Sequence, residues 1–181
     1  MTFLDHWALT GAIFIPVIGA VLLGLVPRRA ELTLKAGALL ASLASLALVV
    51  YLMARFDYGH SSRFQFVVND RWIEVIHSRY HIGLDGISLP LLALSALITL
   101  MCVIYSWDHF PEPYNPKAFL ILILVLATGM NGTFGSLDLI LFFVFFELVL
   151  LPMYFMIGVW GGPTGSTRRS SSSCSPCSGR R

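Results

Sequence analysis

The chain has 181 residues, of which 56% are hydrophobic and only 12% are charged. Soluble globular domains carry about 25% charged residues, so this composition indicates a membrane protein. The formal net charge is only +2 and no basic stripe is present, so we predict no nucleic-acid partner. Three cysteines are too few for a disulfide framework.

Five apolar segments are long enough to cross a bilayer, which takes about 20 helical residues. They span 7–26, 36–54, 87–107, 118–137 and 139–160. We therefore predict an all-α polytopic membrane protein with about five transmembrane helices in a region that covers residues 1–163. The last two segments need a break between them. We place it within Asn131–Ser136, where glycines and small polar residues cluster, with Asp138 at the start of the next helix.

Basic residues predict the orientation of these helices. Arg28, Arg29 and Lys35 lie in or beside the first short connection, and the positive-inside rule places such a connection in the cytoplasm. The N-terminus and the 55–86 connection are then extracytoplasmic. The four arginines of that second connection argue against this assignment.

The 55–86 connection contains two β-prone runs, 63–68 and 71–76. The dipeptide Asn69-Asp70 separates them, which predicts an extracytoplasmic hairpin between the second and third helices, although Asn-Gly would be a stronger turn signal. Trp72 and Tyr80 are typical of the membrane interface, where we expect the hairpin to lie.

The C-terminal segment 164–181 is rich in serine and arginine and cannot bury a core, which predicts a disordered tail. Cys174 and Cys177 form a Cys-x-x-Cys pair within it. A structural zinc site needs four ligands, and no histidine follows Tyr154, so we predict no metal site. Cys102, inside the third span, is expected to face lipid or pack as a small apolar residue.

Glu147 is the only charged residue inside the five apolar segments. A carboxylate near the middle of a membrane helix costs about 2.5 to 3.5 kcal/mol on insertion scales, which favours a functional role such as proton transfer over a single structural hydrogen bond. The five spans contain no lysine or arginine to pair with it. Within this chain only Thr99, Thr128, Asn131 or water could hydrogen-bond it, if the helices brought them near.

Two further residues have a structural and a functional interpretation. Pro152 removes a backbone donor and frees the carbonyl of Leu148 close to Glu147, but proline kinks are also common in membrane helices. Asp85 precedes the third span, where an N-cap with Ser88 three residues later is the favoured explanation.

Two stretches resemble a known family: YHIGLDGISLPLLAL (80–94) and LILFFVFFELVLLPMYFMIGVWGG (139–162). They are similar to the antiporter-like subunit M family of the bacterial proton-pumping NADH:quinone oxidoreductase, respiratory complex I. The motif that carries the resemblance is Glu147-x-x-x-x-Pro152-Met153-Tyr154, and the predicted hairpin also fits the family.

The resemblance implies that Glu147 takes part in proton translocation and, in a complete subunit, pairs with a lysine on a later helix. It implies that NADH, FMN, iron-sulfur clusters and quinone are bound by other subunits, and that the partners of this chain are other membrane-arm subunits and the lipid bilayer. It also implies a bacterial inner-membrane location. We expect no cofactor and no metal in this chain itself.

The chain departs from the family after about residue 163, where members continue with a basic turn and another apolar helix. We interpret the tail as out-of-frame sequence and the chain as an N-terminal fragment that is inactive alone. Two alternatives stay open: a subunit of a cation/proton antiporter or membrane-bound hydrogenase of the same superfamily, and a small non-catalytic membrane scaffold.

Overall fold

The structure is a computed structural model, and it describes residues 3–27, 30–57, 64–73, 78–107 and 115–161. Its elements in chain order are α1 (Phe3–Leu25), α2 (Glu31–Arg55), β1 (Gln65–Ile73), β2 (Ser78–Leu84), α3 (Ser88–Tyr105), α4 (Pro116–Gly135) and α5 (Leu139–Trp160). All five helices are long and apolar enough to cross a membrane. The predicted all-α polytopic fold, with a hairpin between the second and third helices, is confirmed. The predicted disordered tail and its two cysteines lie outside the described residues.

Helix α4 lies at the centre of the bundle and contacts each of the other four helices. Helix α5 packs mainly against α4 and also touches β2. Because only one side of α5 is covered, the opposite side of this helix is open over most of its length.

The interior has three layers along the helix axes. At the hairpin end an apolar cluster joins α1, α2, α3, α5 and both strands, with Leu9, Leu52 and Ile82 fully buried. At the other end a second apolar cluster joins α1, α2, α3 and α4 around Leu34 and Leu124. Between them lies what we call the polar layer, which consists of Ser42, Ser45, Ser95, Thr99, Thr128 and Asn131, all buried.

The register of the hairpin differs from the prediction. β1 runs through Asn69 and Asp70, which pair with His81 and Tyr80, so the turn predicted at these two residues is wrong. An Asn-Asp pair lacks the glycine that favours a tight two-residue turn, and pairing with Ser78–Leu84 lets Ile82 meet Val68 inside the core. Residues 74–77, between the strands, lie outside the described residues.

The break between the last two helices is later than Asn131. Helix α4 continues through Asn131 and Gly132 to Gly135, and α5 begins at Leu139. Both residues make contacts from within the helix. Asn131 forms hydrogen bonds across the polar layer, and Gly132 contacts α5. Asp138 caps α5 by accepting a hydrogen bond from the Ile140 N–H at 2.9 Å, in the position predicted from the helix dipole.

Two lysines donate hydrogen bonds to carbonyl groups at helix C-termini, at the end of the bundle opposite the hairpin. The Nζ of Lys117 donates to the carbonyl oxygens of Gly24 and Val26, each at 2.7 Å, at the end of α1. The Nζ of Lys35 donates to the Trp107 carbonyl at 2.8 Å, just after α3. Positive charge at a helix C-terminus is favourable because the carbonyls there carry partial negative charge.

Candidate functional site

Close contact with α4 fixes the rotation of α5 about its axis. A Cβ atom on Gly132 would overlap the ring of Phe145, and one on Gly129 would lie 2.7 Å from Val149 Cγ2 and 3.1 Å from the Val149 nitrogen. Only glycine at these two positions lets the helices approach so closely. Phe145 is 5% exposed, and its ring centroid lies 6.3 Å from that of Phe14 in α1.

Glu147 points away from the other elements that the structure describes. Successive helical residues are about 100° apart, so Glu147 lies about 200° around the helix from Phe145. Its side chain is exposed, and it forms no hydrogen bond or ion pair with any residue that the structure describes. We call this side of α5 the Glu147 face; it also carries Phe143, Leu151 and Tyr154, which are 59%, 57% and 74% exposed.

The polar layer lies on the side of α4 away from Glu147. Its side chains form hydrogen bonds with one another or with backbone carbonyls. Ser95 Oγ donates to Asn131 Oδ1 at 2.5 Å. The amide nitrogen of Asn131 donates to the Ala12 carbonyl at 3.3 Å and to Ser45 Oγ at 3.4 Å, while Ser45 Oγ donates to the same Ala12 carbonyl at 3.0 Å. One asparagine therefore links α1, α2, α3 and α4 at membrane depth.

The Ala12 carbonyl is available to these donors because of Pro16. A proline within a helix has no N–H for the carbonyl four residues earlier, and Pro16 lies inside α1. Ser45 and Asn131 replace that missing donor. Pro152 has the same effect on Leu148 in α5, but no side chain among the described residues donates to the Leu148 carbonyl.

The three side chains proposed as hydrogen-bond partners of Glu147 do not reach it. Thr99 Oγ1 donates to the Ser95 carbonyl and Thr128 Oγ1 donates to the Leu124 carbonyl, while Asn131 is occupied within the polar layer. Sequence reasoning missed Ser45 and Pro16 in this network. The available signal was a proline four residues after Ala12 in an otherwise apolar helix, because the carbonyl it frees needs a donor from a neighbouring helix.

Asp85 caps α3, as its spacing predicted. Its Oδ1 accepts hydrogen bonds from the backbone N–H of Ser88 at 2.6 Å and of Ile87 at 3.2 Å. The hydrogen bond from Ser88 is the main reason that the pKa of this carboxyl lies below its ordinary value, and partial burial opposes the effect.

Metal binding has no geometric support in the described part of the chain. No group of three or more His, Cys, Asp or Glu side chains comes together among these residues. Cys102 is a free, exposed thiol on α3, which agrees with the lipid-facing alternative.

The structure is that of a multi-pass membrane protein. Its buried polar side chains are hydrogen-bonded within the bundle, and helix α5 carries an exposed carboxylate. The chain belongs to the family described as NADH-ubiquinone oxidoreductase chain 4, amino terminus, whose profile matches residues 12–133. The resemblance to a complex I antiporter-like subunit is confirmed.

Relatives and one solved structure give the extent of the similarity. The chain is 37% identical over 163 residues to NADH-ubiquinone oxidoreductase chain 4 of Mycosarcoma maydis, covering 88% of this chain and 33% of the relative. It is 37% identical over 125 residues to NADH-quinone oxidoreductase subunit M of Rickettsia felis, covering 69% and 25%. The chain thus spans a quarter to a third of these two relatives.

The fold is similar to a chain in the solved structure of respiratory complex I from Thermus thermophilus with bound NADH. The TM-score is 0.66 at 24% identity, over 82% of this chain and 28% of the other.

Proposed function

We propose that this chain is part of a membrane-arm subunit of a proton-translocating NADH:quinone oxidoreductase, and that Glu147 carries protons there. Family membership supports the first part. The observation that carries the second is the orientation of Glu147, an exposed carboxylate within a helix that is long and apolar enough to span the membrane.

An ionisable side chain at membrane depth faces either a protein partner or water in functional proteins. Glu147 has no protein partner among the described residues, and we infer that a segment outside them or another subunit covers the Glu147 face. A basic group there would favour the carboxylate, and its withdrawal would favour the protonated acid. Alternation between these two states takes up and releases one proton.

The remaining chemistry belongs to partner subunits in this proposal. NADH, FMN, iron-sulfur clusters and quinone bind elsewhere in the complex, and this chain contributes to the proton path in the membrane arm. We place it in the bacterial inner membrane with the N-terminus and hairpin outside. In support, Lys35 and Lys117 lie at the end of the bundle opposite the hairpin, where the positive-inside rule expects basic residues.

The test is Glu147→Gln in the complex that contains this chain, assayed in closed membrane vesicles. NADH oxidation and acidification of the vesicle interior are measured together. We expect proton pumping to fall by about tenfold or more, because an amide cannot release a proton, while the complex still assembles.

Glu31→Gln is the matched control, since it makes the same chemical change at the start of α2, away from the middle of the membrane. It should leave pumping unchanged. Normal pumping in Glu147→Gln would instead favour the non-catalytic scaffold.

A further inference from the structure

The hairpin continues onto the connection between α4 and α5. Ile82 of β2 forms an antiparallel bridge with Ser136. The backbone N–H of Leu137 donates to the His81 carbonyl at 2.8 Å. Because this hydrogen bond joins the neighbours of the bridged residues, Ile82 and Ser136 form a narrow, non-hydrogen-bonded pair. We call this contact between β2 and residues 136–137 the clip.

The clip is closely packed. A Cβ atom on Gly83 would lie 2.8 Å from Leu137 Cδ1 and 3.2 Å from Val67 Cγ2, so the absence of a side chain lets β2 approach the connection. The hairpin and α5 also share one buried cluster, in which Ile82 is fully buried and Leu141 is 3% exposed. The first turns of α5 are therefore packed against the hairpin as well as against α4.

The two halves of α5 differ in support. Glu147 lies eight residues after Leu139, about 12 Å along the axis, between the two positions that contact the glycines of α4. Among residues 148–160 only Pro152 is buried. Pro152 also lacks the N–H that would bond the Leu148 carbonyl, which weakens the connection between the halves. The clip thus supports the half of α5 that carries Glu147.

The hairpin is itself tied to the end of α2. The side-chain amide of Gln65 donates to the Asp57 carbonyl at 2.8 Å, and its oxygen accepts from the Asp57 N–H at 3.0 Å. The next residue, Phe66, is buried and has a φ of 56°, a conformation that non-glycine residues rarely adopt. Such a conformation persists only where the surrounding contacts impose it. The hairpin is therefore a fixed link from α2 to the start of α5.

We propose that the clip holds α5 in place and that the Leu137 N–H is a positioning group of the Glu147 site, an inference that rests on the proposed function. Proton transfer requires heavy atoms about 2.6 to 3.2 Å apart, so a small displacement of α5 would separate Glu147 from the group with which it exchanges a proton. The clip stays closed while Glu147 gains and loses its proton.

The first experiment removes the hydrogen-bond donor of the clip by Leu137→Pro. Ser136 has φ −80° and ψ 132°, the extended conformation that the residue before a proline prefers. In vesicles that contain the assembled complex, pumping per NADH oxidised should fall about fivefold, the effect of one lost hydrogen bond, at an unchanged amount of complex. Leu137→Ala keeps the N–H and is the matched control, which should pump normally. Leu137→Pro should add nothing to the effect of Glu147→Gln.

The second experiment replaces the lost hydrogen bond by a covalent link. The Cα atoms of a non-hydrogen-bonded pair lie about 4.5 Å apart, within the range that a disulfide spans. Ile82→Cys with Ser136→Cys should therefore form a disulfide, in a chain whose three native cysteines are replaced by alanine. In the Leu137→Pro background this disulfide should restore pumping, and dithiothreitol should remove the gain. The reduced protein controls for the loss of the Ile82 side chain.

The outcomes separate the two claims. If Glu147→Gln abolishes pumping and Leu137→Pro pumps normally, the role of the clip is overturned and the proposed function stands. The role is also overturned if Leu137→Pro lowers only the amount of complex, if Leu137→Ala has the same effect on pumping, or if the disulfide does not form or does not restore pumping. A disulfide that stops pumping when Leu137 is present would show that the clip must open, which contradicts the inference. If Glu147→Gln pumps normally, the proposed function fails and this inference fails with it.

Discussion

Two polar regions at membrane depth, the Asn131 network and the Glu147 face, have opposite surroundings. Asn131 is 1% exposed and hydrogen-bonded to three other helices, whereas Glu147 is exposed and has no partner among the described residues. A polar group that its own chain satisfies needs nothing further, and its role is to hold helices together. A polar group that the described residues leave exposed needs a partner from elsewhere, and this need is the reason that we propose a functional role for Glu147.

Pro16 in α1 and Pro152 in α5 differ in the same way. Pro16 frees a carbonyl that Ser45 and Asn131 occupy, whereas the carbonyl freed by Pro152 receives no side-chain donor in the described structure. The hydrogen-bonded polar side chains thus lie among α1 to α4, and the exposed carboxylate lies on α5.

Replacement of Asn131 should have the largest effect on stability. Asn131→Leu removes three hydrogen bonds and leaves the Ala12 carbonyl and two serines with fewer partners, at an expected cost of about 2 to 3 kcal/mol. Unfolding of the purified chain in mixed micelles with increasing sodium dodecyl sulfate measures it. Met130→Leu, a volume-conserving change one residue away, is the control. Equal stability of the two variants would show that the polar layer does not hold the bundle.

Substitution of Gly132 tests how α5 is attached to α4. Gly132→Ala should cost about 1 to 3 kcal/mol because its Cβ overlaps the Phe145 ring. Adding Phe145→Ala removes the three ring atoms that the new Cβ would meet, so the double variant should be more stable than the sum of the single effects by about 1 kcal/mol.

Gly158→Ala is the matched control for this substitution, since its Cβ would meet nothing within 4 Å. It should be neutral or slightly stabilising. Strict additivity of Gly132→Ala and Phe145→Ala would contradict the proposed contact.

The cap of α3 gives a pH-dependent prediction. The pKa of Asp85 is lower in the folded state than in the unfolded chain, so its stabilising effect is complete above the unfolded pKa, about 3.9. The effect is lost as the pH falls through the lower, folded pKa. Asp85→Ala should cost about 1 kcal/mol at neutral pH and less at acidic pH. A cost that does not change with pH would contradict the ionised cap.

Replacement of Pro16 should have the smallest effect. In Pro16→Ala the new N–H can donate to the Ala12 carbonyl, so stability should change by only about 0.5 kcal/mol. The informative measurement is the double variant with Asn131→Leu. The loss of Asn131 should cost less when Ala12 has its own backbone donor, and an unchanged cost would contradict the role assigned to Pro16.

The five helices and the position of Glu147 could be predicted because apolar segment length and a single charge are local properties. The hairpin register could not, since Asn69-Asp70 resembles a turn until β1 is paired with Ser78–Leu84. The direction of Glu147 depends on Gly132 meeting Phe145, and the polar layer depends on Ser45 meeting Asn131 across 86 residues. Local sequence patterns do not contain such long-range contacts.

The most direct test of the central claim is the reactivity of Glu147 toward carbodiimides in the 181-residue chain, reconstituted in lipid bilayers. The modified residue is located by peptide mass spectrometry, with Glu147→Gln as the blank. An outward carboxyl at membrane depth should react with a lipid-soluble carbodiimide and be protected from a water-soluble one. Protection from the lipid-soluble reagent would mean that the chain itself buries Glu147, which would contradict the exposed Glu147 face on which its proposed role depends.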